Sequence, residues 1–397
     1  VTLRTPAALR ASVERLALDA GADAIAVASA EPDETTEARL RASFARGDLA
    51  TWGYDDARAA RATRPAELLA GARSVVCVAV AYATPPPAGR RAPLTGRTSN
   101  YAWSPDYHRT LRPMLRAIAD GLDALAGEPA TAIACDTAPL AERALAAASG
   151  LGWVGKHTNV IAGGLGSFVF LGELVTTLAI PPDAPRRTHC GSCRRCVSAC
   201  PTGALRGDYT IDATRCISDL TQRRGPVPRE LRPLLGDWVW GCDLCQDACP
   251  PTRRAGAAGG AAFAPALEAF ARPDLIALLR LRARDFERGY ARTAMGWRGG
   301  ALLRRNAALA LGNALDRAAA AALARSLEDD PHPVVRGAVA WALGRIGSPR
   351  ALAALRARAR IEPDPEVAEE ITVALAAWPG NPRHAESGCG ESTCAVL

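Results

Sequence analysis

The sequence predicts three parts in series: a mixed α/β (α+β) N-terminal domain, a two-cluster ferredoxin-like module, and a C-terminal all-α domain of HEAT-like repeats. Three observations carry this. Eight of the twelve cysteines lie between Cys190 and Cys249, in two runs with metal-ligand spacing. Before them, short apolar strand-like runs alternate with amphipathic helical stretches. After them, an Ala-rich helical pattern repeats at a fixed step. The expected boundaries are 1–181, 182–255 and 256–380, with 381–397 a polar, disordered tail. At 397 residues the chain is long enough for several domains with cores of their own.

Residues 6–20 read as a helix, GADAIAVAS as a buried strand and TTEARLRASFARG as a second helix. RPAELLAGARSVVCVAVAYA gives a short helix, a turn and a strand from about Ser74, and TPPPAGRRAP a Pro-rich surface loop. Pro105 and Asp106 start a long amphipathic helix. ATAIACD is a strand ending at Asp136, APLAERALAAASGLG a helix closed by glycine, and HTNVI and SFVFLGELVTTLAI are further strands. Neither GxGxxG nor GxxxxGK[ST] occurs, so the domain carries no dinucleotide fingerprint and no phosphate loop.

Cys190, Cys193, Cys196 and Cys200, with Pro201, read C-x2-C-x2-C-x3-C-P. That spacing folds three thiolates around one iron–sulfur cube and sends the fourth to a second. Cys242, Cys245, Cys249 and Pro250 repeat the latter part, and Cys216 arrives from a separate turn. Crossing the runs puts Cys190, Cys193, Cys196 and Cys249 on one 4Fe–4S cluster, and Cys200, Cys216, Cys242 and Cys245 on the other. Zinc also takes paired C-x2-C units, but rarely two runs of this longer form. Clustered cysteines, in place of a spread disulfide framework, indicate a reducing compartment.

RAGAAGGAAFAP reads as a flexible linker. Beyond it Leu311, Leu343 and Leu375 stand 32 residues apart, each after an alanine, and Pro333 and Pro365 keep the same step. Helix pairs near this period form α-solenoids, although Ala-rich sequence can imitate one. Cys389 and Cys394 in the tail are too isolated to be ligands.

Lysine and arginine total 48, yet Lys156 is the sole lysine. Arginine, alanine and glycine richness is what a GC-rich genome produces, so the arginine count says little about partners. Lys156 stands apart from that drift, though a lone lysine can also be chance. The formal charge of +7 mildly favours a polyanionic partner. VTLRTPAALRASVERLA reads as an amphipathic helix without an apolar h-region or twin-Arg signal, and no long apolar run follows. A monomer in the cytoplasm, with no membrane partner, is expected.

Asp136, at a strand end before a helix, suits a proton donor. It equally suits an N-cap, the commoner use of such a residue. Arg143, seven residues on, falls on nearly the same helical face in that reading. Lys156 and His157 sit in a Gly-bounded loop that lets backbone approach a ligand. His108 has catalytic chemistry, but one histidine on an amphipathic helix is more often structural.

SNYAWSPDYHRTL, CDTAPLAERALAAASGLGWVGKHTNVI, GSFVFLGELVTT, CGSCRRCVSACPTGAL, RCISDLTQ, WGCDLCQDACP and RRNAALALGN together resemble epoxyqueuosine reductase, in order, over residues of about 10–345. The resemblance implies a cobalamin-binding N-terminal domain, then two 4Fe–4S clusters, then HEAT-like repeats. It also implies the reaction: epoxyqueuosine at the tRNA wobble position becomes queuosine, with electrons from a separate low-potential donor. By motif match Asp136 is the proton donor. Arg61, Ser99, Lys156, His157, Ser218 and Thr221 are carried over to the corrinoid and substrate pocket. A donor at neutral pH must hold its proton, so a water-poor setting around Asp136 is expected. A reductive dehalogenase shares the corrinoid-plus-two-clusters layout, but usually carries a twin-Arg signal and lacks HEAT-like repeats. A ferredoxin-type carrier would leave the N-terminal domain without a task. From Arg272 to Arg305 nine arginines stand against three acids, Asp274, Asp285 and Glu287. This is either a solvated surface or a phosphate-contacting face for tRNA, with Arg304 and Arg305 expected among the contacts.

Overall fold

The computed structural model describes residues 5–49 and 52–378; the expected tail, with Cys389 and Cys394, lies outside them. The N-terminal part is built on one antiparallel sheet. Its strands are β1 (Ala24–Ser29), β2 (Ser74–Ala81), β3 (Thr131–Ala134) and β4 (Val169–Thr176), in the order β1–β2–β4–β3. β2 is buried along its whole length, because both faces of the sheet are covered. Its period-two alternation sends Val76, Val78 and Val80 to one face and Val75, Cys77 and Ala79 to the other. Helices α1 (Pro6–Asp19) and α2 (His108–Ala126) cover the first face. α2 does so with Leu111, Leu115, Ile118 and Leu122, which recur at helical spacing. Helix α3 (Glu142–Ala148) covers the second. A hairpin of Gly152–Val154 and Val160–Ala162 projects beyond α3 and carries residues 155–159 at its tip.

The cysteine module is joined to both neighbours. Trp238–Trp240 pairs in parallel with Arg97–Thr98 of the N-terminal part. Helix α4 (Ile217–Gln222) begins directly after Cys216 and shares one apolar core with the C-terminal helices through Ile217 and Leu220. The expected flexible linker is instead docked. Gly259 N–H donates to Ala83 O (2.7 Å), and a Cβ there would lie 2.5 Å from the Tyr82 backbone. Phe263 fills the N-terminal core beside Phe170. Its glycines serve close approach, not looseness.

The repeats are helices α5 (Gly300–Ala314), α6 (Ala320–Asp329), α7 (Pro333–Ile346), α8 (Pro349–Arg358) and α9 (Pro365–Ala376). Pro333 and Pro365 sit in the first turns of α7 and α9, where the missing N–H costs nothing. The same step recurs in an unanticipated place. Arg304 pairs with Asp330 and Arg336 with Glu362, each at 2.7 Å, and these acids also accept the N–H groups of His332 and Asp364. Arg304 is therefore part of a repeat-internal ion pair. Arg305 is 1 % exposed and donates to the carbonyls of Leu220, Thr221, Arg223 and Gly225. Arg305 is buried away from any RNA, which corrects the expectation for it, and Arg304 is partly buried against Asp330. Among the described residues no helix is long and apolar enough to cross a membrane.

Gly312 and Gly344 keep the 32-residue step and let successive helices touch. A Cβ on Gly312 would lie 2.8 Å from Ala342 Cα, and one on Gly344 2.8 Å from Ala374 Cβ. In an exposed helix Gly→Ala gains about 1 kcal/mol; here overpacking costs about 1–3 kcal/mol and wins. Gly312→Ala is thus expected to lower the melting temperature in a thermal scan, and an unchanged or higher Tm would refute this packing.

Candidate active site

Strand β3 ends at Ala134, and Asp136 stands two residues beyond it in a turn, with a left-handed φ of 56°. It does not cap a helix: α3 starts at Glu142 with Ala141 before it. The N-cap alternative fails, and so does the shared helical face with Arg143. Aspartate tolerates this backbone conformation better than most residues. One hydrogen bond ties its backbone, and an imidazole lies near its carboxyl. Asp136 N–H donates to Glu142 Oε1 (2.5 Å), and its Oδ2 lies 3.7 Å from His108 Nε2. On the far side of that ring, His108 Nδ1 is 2.8 Å from Asp106 Oδ1, which also accepts the His108 N–H (3.0 Å). Tyr107 stacks on the His108 ring and on Phe170, both at 4.3 Å. The Tyr107 phenol is pushed far above the ordinary tyrosine range, by burial first and then by the Asp136 charge it faces. His108, read from sequence as more often structural, is thus the imidazole beside Asp136. The expected water-poor setting is not met here: the Asp136 side chain is 57 % exposed.

Behind Asp136 lies a second acid pair that sequence reasoning missed. Glu173 sits in β4 between Cys77 and Ala134, fully buried, with no hydrogen-bond donor at either oxygen. The charge it faces is Glu142. Burial, then that charge, holds the Glu173 carboxyl well above the usual carboxylate range, so it keeps its proton. Glu142 is pushed up to about 7, by burial first and by the Asp136 charge, against the lowering effect of the Asp136 N–H. The signal available in sequence was the lone acid in the apolar run FLGELVTT.

The carried-over residues take different positions. Lys156 directs its ammonium at the cysteine loop, donating to Gly191 O (2.6 Å) and Cys193 O (3.2 Å). His157 is buried, accepts the Asn159 N–H at Nδ1 (3.2 Å), and has its pKa lowered to about 4 by burial, so it is neutral. Arg143 donates to Thr158 O (2.9 Å), tying this loop to the helix that holds Asp136. Ser99 is buried and donates to Asp243 Oδ1, next to Cys242. Thr221 accepts the Gly241 N–H (2.9 Å), and Ser218 Oγ accepts from Gln222 (3.2 Å). Arg61 is exposed on the helix Asp56–Ala62, with no polar side-chain partner among the described contacts.

The cysteine thiols form two loose sets. Cys196 feels Cys249 and Cys190; Cys242 feels Cys216 and Cys200; and Cys245 feels Cys242 and Cys216 and also, across the sets, Cys196. Burial raises the thiol pKa at Cys196, Cys216, Cys242 and Cys245, a cost that a bound iron cation reverses. Backbone N–H groups point at the sulfurs: Val197 at Cys196, Ser218 and Asp219 at Cys216, and Leu244 at Cys242. Among the described residues no three His, Cys, Asp or Glu side chains converge tightly enough for one metal ion. Eight cysteines, three of them with backbone N–H groups aimed at the sulfur, are the donor chemistry that iron–sulfur clusters use. His108 Nε2 and His157 Nε2 are buried without a hydrogen-bond partner, as polar atoms awaiting a ligand's amides would be.

Because Glu142 and Glu173 are held above the ordinary carboxylate range, the folded chain binds more protons than the unfolded one up to about pH 7. Stability contributed by the pair is complete in acid and is lost as pH rises through that window. Glu173→Gln is expected to flatten the fall in melting temperature between about pH 5 and about pH 8. Parallel curves for the two proteins would contradict the buried pair.

Three family models match the chain: "Epoxyqueuosine reductase QueG, DUF1730" over residues 62–137, "4Fe-4S double cluster binding domain" over 189–252 and "HEAT repeats" over 301–376. The chain is similar to the epoxyqueuosine reductase of Bacillus anthracis, 35 % identical over 358 residues, covering 89 % of this chain and 93 % of that one. It is 36 % identical over 378 residues to that of Burkholderia pseudomallei, covering 85 % and 92 %. Its fold matches a crystal structure of epoxyqueuosine reductase with an epoxyqueuosine-modified tRNA-Tyr stem loop, with a TM-score of 0.89, 32 % identity and coverage of 94 % and 100 %. It matches a Bacillus subtilis epoxyqueuosine reductase whose aspartate-bearing catalytic loop is swung out of the active site, with a TM-score of 0.88, 32 % identity and the same coverage. With relatives of this identity along most of its length, the chain belongs to the epoxyqueuosine reductase family.

Proposed function

We infer that this chain reduces epoxyqueuosine to queuosine at the wobble position of tRNA. The observation that carries the reading is the exposed Asp136 carboxyl just past β3, 3.7 Å from His108 Nε2 and with its backbone N–H held by Glu142. The reaction removes the epoxide oxygen as water and consumes two electrons and two protons. Cobalamin, when bound, supplies a strongly nucleophilic reduced cobalt, and two 4Fe–4S clusters supply the electrons. Cys190, Cys193, Cys196 and Cys249 would hold one cluster, and Cys200, Cys216, Cys242 and Cys245 the other.

The protein's own part is proton delivery and positioning. Asp136 Oδ2 donates to the oxygen as the ring opens, and His108 Nε2 returns the proton, its ring oriented by Asp106 at Nδ1. Substrate covering the exposed carboxyl supplies the dry setting that the free chain lacks. Ser99, His157, Ser218 and Thr221 shape the corrinoid pocket, Lys156 braces it against the cluster loop, and Arg61 faces outward toward substrate. Residues 1–181, 182–255 and 256–380 act as catalytic, electron-transfer and RNA-contacting units of a cytoplasmic monomer, fed by a separate low-potential donor.

Queuosine release from epoxyqueuosine-bearing tRNA, with cobalamin and a strong reductant present, tests the reading by nucleoside analysis. No queuosine from the cluster-loaded wild type would sink it. Asp136→Asn is expected to slow formation by about a hundredfold or more while the cluster absorbance stays intact. A wild-type rate in that variant would remove only the donor role.

With Arg305 buried and Arg304 paired to Asp330, exposed arginines Arg280, Arg284 and Arg292 remain for phosphate contact. Arg280→Glu combined with Arg284→Glu is expected to weaken stem-loop binding and flatten its dependence on salt. An unchanged slope in a titration series would take this face out of the RNA path.

A further inference from the structure

Trp52 and Trp297 are both large apolar side chains left at the surface, 37 % and 51 % exposed. They come from distant parts of the chain, yet their rings stack at 5.8 Å and 19°. The Arg298 guanidinium lies 3.7 Å from the Trp297 ring centre and 5.4 Å from that of Trp52. These three separations make an acute angle at Trp297, so Arg298 and Trp52 share one side of its ring. The opposite face of Trp297 is clear of both. Trp52 is fixed from below: its Nε1 donates to Asp219 Oδ1 (2.8 Å), and Asp219 is held in turn by Arg223 (2.9 Å). Asp219 follows Ser218 on α4, which starts at Cys216. Arg298 Nε is buried with no hydrogen-bond partner, and the Arg224 charge lies close to it.

We propose that the open face of Trp297 is a stacking platform for one unpaired nucleobase of the RNA loop that presents the substrate nucleoside, with Arg298 and Trp52 backing the indole from its other side. This rests on the RNA reading above. Single-stranded RNA is taken up by aromatic and guanidinium planes, because every base has a π-face whatever its sequence. An enzyme acting on one base removes it from its stack and leaves its neighbours unpaired, which supplies the occupant. A protein partner would need a wider apolar patch than two rings bordered by arginines.

The test uses the cluster-loaded full chain and an epoxyqueuosine-bearing anticodon stem-loop RNA, together with versions made abasic at single loop positions. Trp297→Ala is expected to weaken binding about tenfold, and Trp297→Phe to retain most of the affinity. At one loop position the abasic RNA should bind wild type about tenfold more weakly, yet bind Trp297→Ala no worse than the intact RNA does. Equal affinities for wild type and Trp297→Ala, or losses that add independently at every position, overturn the platform while conversion by wild type leaves the functional reading standing. Failure of the wild type both to bind and to convert the stem-loop overturns both. Unchanged cluster absorbance and melting temperature identify a folded variant; if Trp297→Ala fails that check, Trp297→Leu carries the same comparison, since it keeps apolar volume and removes the ring.

Discussion

The carbonyl groups at the end of a six-residue helix are the constraint on which the three parts of this chain meet. Helix α4 is too short to satisfy its own C-terminal carbonyls, and it is buried where water cannot serve them. Arg305 does so from a different domain, with one guanidinium reaching Leu220, Thr221, Arg223 and Gly225, while Asn306 adds Thr221 O and Val239 O. A buried guanidinium is costly unless every donor is used; here burial lowers its pKa to about 9, and the carbonyls keep it in place. The same helix begins at Cys216, carries Ser218 and Thr221, and anchors Trp52 through Asp219. Cys216, Ser218, Thr221 and a surface aromatic are thereby set by one buried side chain.

The Asp136 turn has the opposite character. Asp136 stands in a left-handed, solvent-facing turn, tied by one backbone hydrogen bond, near His108 and with a second acid pair behind it. Carboxylates crowded this way cannot all be charged, and the protein resolves the conflict by depth: Glu173 stays neutral, Glu142 titrates near 7, and Asp136 meets solvent.

The repeats combine a shared apolar step with a shared polar one. Gly312 and Gly344 bring helix backbones together, and Arg304–Asp330 and Arg336–Glu362 close the helix junctions beside them. Each of those acids takes both an arginine and a helix-start N–H, so the ion pairs set the angle between successive units. Arginines paired in this way have their charge offset by an acid, and the cationic surface is narrower than the arginine count implies.

Sequence by itself determined the parts whose cause is local. Cysteine spacing pointed to the double-cluster domain, period-two alternation in SVVCVAVA set the central strand, and the 32-residue step set the solenoid. It also singled out Asp136, but not its surroundings. Whether Asp136 capped a helix depended on α3 starting six residues later, and whether His108 was structural depended on which loop lay over it. Lys156 turned to the cysteine loop, the glycine linker lay down on the sheet domain, and Arg305 went inside. Each of these outcomes was decided by a partner more than thirty residues away. The reason is physical: a buried charge or amide must find its counterpart in space, and one-dimensional spacing states the need without saying who meets it.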